Sequence, residues 1–196
     1  MIRAFIAVDI PEAVRAAIGE GQAGLKRAHV GVKISWTKVA NIHITLQFLG
    51  YVEETAVEKI NAALESVSRN HAPFDLNIRG AGVFPNENRP RVLWVGCEDA
   101  EGKLKDLATE VQSALQPLGF EPEHREFSAH LTLGRVKFPR PDAALTRALD
   151  SIKNEDFGTM RVEAMHLFES QLHPQGSIYS KLSSHKLGEG HHAAKN

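Results

Sequence analysis

Two short stretches of the chain carry a histidine and a threonine two residues apart: Asn41-Ile42-His43-Ile44-Thr45-Leu46 and Ser128-Ala129-His130-Leu131-Thr132-Leu133. In an extended strand, residues i and i+2 share a face, so each stretch presents one imidazole and one hydroxyl on the same surface. The neighbouring apolar residues, Ile42, Ile44 and Leu46 in one copy and Ala129, Leu131 and Leu133 in the other, are left to anchor the opposite face. A His-x-Thr-Leu string is expected about 0.03 times in a chain of this composition. One copy is weak and two are a strong signal, against the plainer alternative of two ordinary strands with polar outer faces.

Paired histidines suit in-line displacement at phosphorus. A neutral imidazole takes a proton from the attacking oxygen while a protonated one gives a proton to the leaving oxygen. Both states are populated near neutrality, because the unperturbed pKa is about 6.5. Thr45 and Thr132 are placed to donate hydrogen bonds to the non-bridging oxygens, where transition-state charge must be held. Arg135, in Leu133-Gly134-Arg135-Val136, adds a bidentate charged contact under one condition. It lies five residues beyond His130 and points away in a flat strand, so the role demands a bulge or turn at Gly134. Without that it is a surface arginine.

The motifs belong to a longer internal similarity. Strand-like Ala4–Val8 corresponds to Val92–Val95, each ahead of a helical pattern, Pro11 to about Ala28 and Glu101 to Leu115. A second helix follows each motif: Glu54 to Val67, with Val57, Ile60, Ala63, Leu64 and Val67 at helical spacing, and Pro141 to Ile152. Phe74–Ile78 and Met160–Ala164 alternate with period two and close each copy, and further strands fall near Met165–Ser170 and Ile178–Leu182. The chain thus reads as α+β and bilobal, with two similar β-α-(β)-β-α-β lobes whose antiparallel sheets face one another across a central cleft. The pseudo-repeat covers roughly 1–80 and 88–170 within one domain, 1–187, and the junction from Gly80 to Pro90 has no linker composition. Residues 188–196 are expected to be a disordered tail. Strand order cannot be read from these patterns.

Composition removes several classes of function. With 196 residues and a formal net charge of −1, the chain lacks the cationic excess of a protein that coats nucleic acid, so an RNA-handling role means gripping one end. No stretch approaches the length of a membrane span, and the N-terminal apolar run is too short for a signal peptide. The one cysteine, Cys97, reads as a small strand residue and fits a reducing cytoplasm. His29, His71, His124, His166, His173 and His185 show no metal-ligand spacing, and His191 and His192 fall in the tail, so no metal or cofactor is expected. Arg79-Gly80-Ala81-Gly82 lacks the ending of a phosphate loop. Trp36 and Trp94 read as packing residues whose polar tips need partners.

The segment Trp36-Thr37-Lys38-Val39-Ala40-Asn41-Ile42-His43-Ile44-Thr45-Leu46-Gln47-Phe48-Leu49-Gly50, with Arg91-Val92-Leu93-Trp94-Val95-Gly96 and His130-Leu131-Thr132-Leu133-Gly134-Arg135-Val136, resembles the bacterial and archaeal RNA 2′,3′-cyclic phosphodiesterases. These were formerly called 2′-5′ RNA ligases and belong to the two-histidine phosphoesterase superfamily. Glu169-Ser170-Gln171-Leu172 with Gly176-Ser177-Ile178-Tyr179 is similar to the closing motif of that family. The likeness runs from Phe5 to about Leu182. It implies a bilobal fold, His43 and His130 as catalytic acid and base in unassigned order, a 2′-phosphate product, and a reversible ATP-independent 2′-5′ ligation as the same chemistry run with an RNA hydroxyl in place of water. Val39-Ala40 departs mildly from it, where the family often has proline. Phe48 is either a core residue or a base-stacking platform at the cleft mouth, and Tyr179 lines the cleft in the same way. The expected partners are RNA ends or small cyclic nucleotides, met by a monomer in the cytoplasm. The competing reading is a module that binds a nucleotide in the same cleft without turnover.

Overall fold

The computed structural model describes residues 1–28, 30–122, 126–174 and 176–188. The tail beyond Gly188, with His191 and His192, lies outside the described residues, as do His29 and His124. The elements are β1 (Ile2–Val8), α1 (Glu12–Arg27), β2 (Ile34–Trp36), a 3-10 turn (Val39–Asn41), β3 (Ile44–Val52), α2 (Val57–Arg69), β4 (Phe74–Phe84), β5 (Val92–Glu98), α3 (Lys103–Leu115), β6 (His130–Val136), α4 (Ala143–Ile152), β7 (Asp156–Val162), β8 (Ala164–Gln171) and β9 (Ile178–Lys186). The expected junction at Gly80–Pro90 is partly strand, because β4 continues through it to Phe84. Helix α4 begins after Pro141, at Ala143, since the Asp142 carboxylate accepts from the Leu145 N–H at 2.9 Å and caps the first turn.

The strands are antiparallel and run in the order β7-β4-β5-β6-β3-β1-β8-β9, with β2 paired to β6. This makes an α+β fold of two ladders, one on each side of a seam between β6 and β3. The seam is a single residue pair, Ile44–Leu131, so hydrogen bonding passes from one lobe to the other in one curled sheet. Helices cover the outer faces, and they do so crosswise. Helix α1, which follows β1, packs on β7 and α4, whereas α3, which follows β5, packs on α2 and β3. Each lobe therefore draws on both halves of the chain, and the seam cannot open without disturbing both cores.

Burial follows the helical and strand periods. Helix α2 buries Ile60, Leu64 and Val67, α3 buries Leu104, Leu107, Val111 and Leu115, and the seam residues Ile44 and Leu131 are fully enclosed. Burying one such side chain contributes roughly 1.5–3 kcal/mol. Where β6 exchanges β3 for β2 as its neighbour, the buried Gln22 amide donates to the carbonyls of Thr37 (2.8 Å) and Leu133 (2.9 Å). Those backbone acceptors, at a gap in the ladder, are thus satisfied without water.

Candidate active site

The seam sets the geometry of the two motifs. Because Ile44 opposes Leu131 in an antiparallel pair, the register places His43 opposite Thr132 and Thr45 opposite His130. Ile44 and Leu131 point into the core, so the other four share the opposite face. The histidines are then diagonal neighbours, a relation that sets Cβ atoms about 7–8 Å apart in a regular ladder. All four line one cavity of about 380 Å³.

Each imidazole is oriented by its own backbone. His43 Nδ1 lies 2.7 Å from the Asn41 carbonyl, and His130 Nδ1 lies 2.7 Å from the Ser128 carbonyl. A carbonyl only accepts, so Nδ1 carries the proton in both rings and Nε2 is the atom left for chemistry. His43 Nε2 is 3.0 Å from the Thr45 hydroxyl, which donates to it when the ring is neutral.

The surroundings of the two rings differ. His43 stacks on Phe5 at 4.7 Å between centroids, Phe5 stacks on Phe168 at 5.3 Å, and the Lys181 ammonium lies 5.7 Å from the Phe168 ring. His130 instead meets Phe84 edge-on at 5.3 Å. Burial against the aromatic stack depresses the His43 pKa below its usual value, an effect that the Asn41 carbonyl and Asp9 oppose and that Arg15 and His130 reinforce. Asp9 is itself held below the ordinary carboxylate range. Burial alone would raise it, but the Ile10 N–H, Arg15 and Lys181 together outweigh that.

The structure brings every expected site residue to the same cavity: His43, His130, Thr45, Thr132, Arg135, Phe48 and Tyr179 all line it. Arg135 gets there by the irregularity its role required. Val92 pairs with Arg135 and Leu93 with Gly134, but Trp94 pairs with Thr132, so Leu133 is an extra residue on β6. That bulge turns Arg135 onto the face of Thr132. Glycine suits position 134, since a Cβ would lie 2.9 Å from Ile34 Cγ2 and 3.1 Å from Trp36 Cε3 and those side chains would have to shift to admit it. Phe48 is 54% exposed, which places it at the mouth and not in the core. Tyr179 meets His43 edge-on at 5.4 Å. Trp94 departs from expectation, because its indole nitrogen is buried without a hydrogen-bond partner.

Several contributors escaped the sequence reading. Arg3, Thr37, Asn41 and Ser177 also line the cavity, and the Asn41 amide donates to the Ser177 carbonyl at 2.7 Å, tying the turn before His43 to the loop before Tyr179. Arg15, whose side chain is only 13% exposed, donates to the carbonyls of Val39 (3.0 Å), Ala40 (3.1 Å) and Ile42 (3.1 Å) and to Asp9 at 2.8 Å. It clamps the turn whose Asn41 carbonyl orients His43. Nothing in its spacing from the motif signals this, since a helix and a distant turn meet only in the fold. Among the described residues, no three histidine, cysteine or acidic side chains come together to hold a metal ion, and no helix is long and apolar enough to cross a membrane.

Comparison with known proteins bears on this geometry. The chain is 38% identical to the RNA 2′,3′-cyclic phosphodiesterase of Methanothermobacter thermautotrophicus over 95% of its length and 99% of that protein. It is also 38% identical to the protein of the same name from Archaeoglobus fulgidus, over 92% of this chain and 98% of that one. The crystal structure of TT0787 of Thermus thermophilus superposes with a TM-score of 0.79 at 31% identity, covering 95% of this chain and 99% of that one. The family model described as LigT like Phosphoesterase matches twice in succession, at residues 8–94 and 95–179. With both motifs meeting in one cavity and both halves matching one model, the chain belongs to the LigT-like phosphoesterase family.

Proposed function

We propose that this phosphoesterase hydrolyses the 2′,3′-cyclic phosphate ends of RNA or small nucleotides to 2′-phosphates, with His43 and His130 as its acid–base pair. The observation that carries this reading is the pair of imidazoles, each anchored through Nδ1 to a carbonyl, sharing a cavity with two threonines and an arginine. Water attacks phosphorus opposite the 3′-oxygen and gives its proton to the neutral Nε2 of one ring. The P–O3′ bond breaks as the other ring, protonated, donates from Nε2 to the leaving 3′-oxygen. Burial favours neutral His43, which makes it the better-placed base in the free enzyme and gives His130 the acid role. Thr45, Thr132 and Arg135 meet the phosphate charge, so the reading needs no metal. Phe48 and Tyr179 hold the nucleobase or ribose at the mouth. With an RNA 5′-hydroxyl attacking in place of water, the same displacement, again expelling the 3′-oxygen, joins 2′-5′ ends without ATP. The relatives are named for the cyclic-phosphate reaction, and we place it in the cytoplasm, carried out by a monomer.

The test is to incubate the protein with 2′,3′-cyclic AMP in excess EDTA and identify the product by chromatography against 2′-AMP and 3′-AMP. Expected is 2′-AMP at an undiminished rate. A cyclic nucleotide that binds but is returned intact would leave only a binding module, and activity lost to EDTA and restored by a metal would reject the mechanism.

A further inference from the structure

The bulge that brings Arg135 to the cavity also fixes what lies beyond it. The Lys137 N–H donates to the Lys33 carbonyl at 2.9 Å, extending the β2–β6 ladder one pair past Ile34–Val136, so the two lysines stand directly opposite one another. By strand alternation they share the face of Arg135, the face that opens into the cavity. Like charges so opposed are destabilising. Yet among the described residues neither lysine has an ion-pair partner, and the same is true of Arg135. Arg140 adjoins them, its guanidinium donating to the Gly31 carbonyl at 2.9 Å, and the Asp142 carboxylate, which caps the Leu145 N–H, also lies against the Gly31–Val32 backbone. Phe138, directly after Lys137, is 74% exposed.

A chain with a net charge of −1 therefore sets two lysines without ion-pair partners beyond Arg135 on the face that opens into the cavity, with Arg140 and the exposed Phe138 next to them in the chain. Two residues of strand advance about 6.6 Å, a step comparable to the spacing of successive phosphates in an extended single strand. Cations at that step beside an exposed aromatic ring suit a single-stranded nucleic acid, whose phosphates seek the charges and whose bases stack.

We propose that the strand pair β2–β6 beyond Arg135, with Lys33, Lys137, Arg140 and Phe138, is a track for the single-stranded RNA upstream of the end held in the cavity. The inference rests on the cavity taking a phosphate end. It makes an RNA strand, and not a free nucleotide, the substrate this surface is built for.

Lys33→Glu/Lys137→Glu and Phe138→Ala are exposed substitutions outside the cavity. Binding of a fluorescein-labelled oligoribonucleotide ending in a 2′-phosphate is measured by anisotropy against salt, beside hydrolysis of 2′,3′-cyclic AMP. The double variant is expected to bind the RNA about tenfold more weakly. Its log–log salt slope should fall by about 1.4, at about 0.7 per lost phosphate contact. Phe138→Ala should weaken binding about fivefold or more, the loss of one stacked base. Both should hydrolyse cyclic AMP at the parental rate. RNA binding at the parental affinity and slope overturns the track, as does an equal loss on cyclic AMP. If the parent leaves cyclic AMP intact while the variants still lose RNA binding, the catalytic reading falls and the track stands.

Discussion

At the scale of residues, the cavity sets similar parts in unlike surroundings. Both imidazoles donate from Nδ1 to the carbonyl two residues upstream, but one rests on an aromatic stack and the other meets a ring edge. Removing either ring as His43→Ala or His130→Ala should lower kcat by roughly 10²- to 10⁴-fold, the usual worth of a positioned acid or base. Single-turnover hydrolysis of 2′,3′-cyclic AMP measures it, and an unimpaired variant would end the paired-motif argument. Arg15 acts at one remove, through the turn it clamps. Arg15→Gln should lower kcat by up to about 10²-fold with little change in KM, because a small misplacement of a catalytic group costs that much. Its charge also helps depress the His43 pKa, with Asp9 pulling the other way. Losing the cation while keeping Asp9 should therefore move the acid limb of the kcat profile to higher pH. A purely structural role would leave that limb in place. The motif residues were legible in the sequence because their spacing is local. Arg15 was not, since its partners are main-chain carbonyls that carry no residue identity.

At the scale of elements, the instructive case is the bulge on β6. The sequence stated a condition, that Arg135 reaches the phosphate only if Gly134 breaks the alternation, and the register shows Leu133 as the extra residue. What the sequence lacked was the cause. The short β2 entered only as the optional strand of the β-α-(β)-β-α-β pattern, without bounds, because three residues are too few to show a period, yet its Ile34 and Trp36 side chains lie over Gly134 and would have to shift to admit a Cβ. Gly134→Val should destabilise the fold by about 1–3 kcal/mol through overpacking and, by displacing the bulge, raise KM for the cyclic phosphate as Arg135 moves. Urea denaturation and steady-state kinetics read the two effects. A valine that costs neither stability nor affinity would show that the contact yields freely. Similar reasoning explains the helices: their periods were visible, but which ladder each covers depends on the crossing of α1 and α3 between lobes, and amphipathicity names a buried face without naming what buries it.

At the scale of the whole molecule, the fold class was readable because helix and strand periods alternate, whereas strand order depends on pairings between distant segments that no local pattern encodes. One property emerges only from the assembled sheet. His166 on β8 is 8% exposed, its Nδ1 is buried without a partner, and it faces Phe168 edge-on at 5.9 Å. Burial, with repulsion from Lys181 and His185, outweighs the attraction of Asp9 and drives its pKa down to about 4. Between about pH 6.5, where an unfolded histidine titrates, and that folded value, the unfolded chain takes up a proton the native state refuses. Stability is then fully present above the unfolded pKa and is lost as pH falls toward the folded one, by on the order of 3 kcal/mol at the limit. Carboxylates titrate at the lower end of this range, so the comparison is best made between about pH 7.5 and about pH 5. His166→Leu keeps an apolar side chain of similar size in the site and removes the proton acceptor. The expected outcome is a urea midpoint that drops on acidification in the parent and drops distinctly less in the variant. Parallel losses in both proteins would assign the acid sensitivity to other groups and leave His166 as a passive core residue.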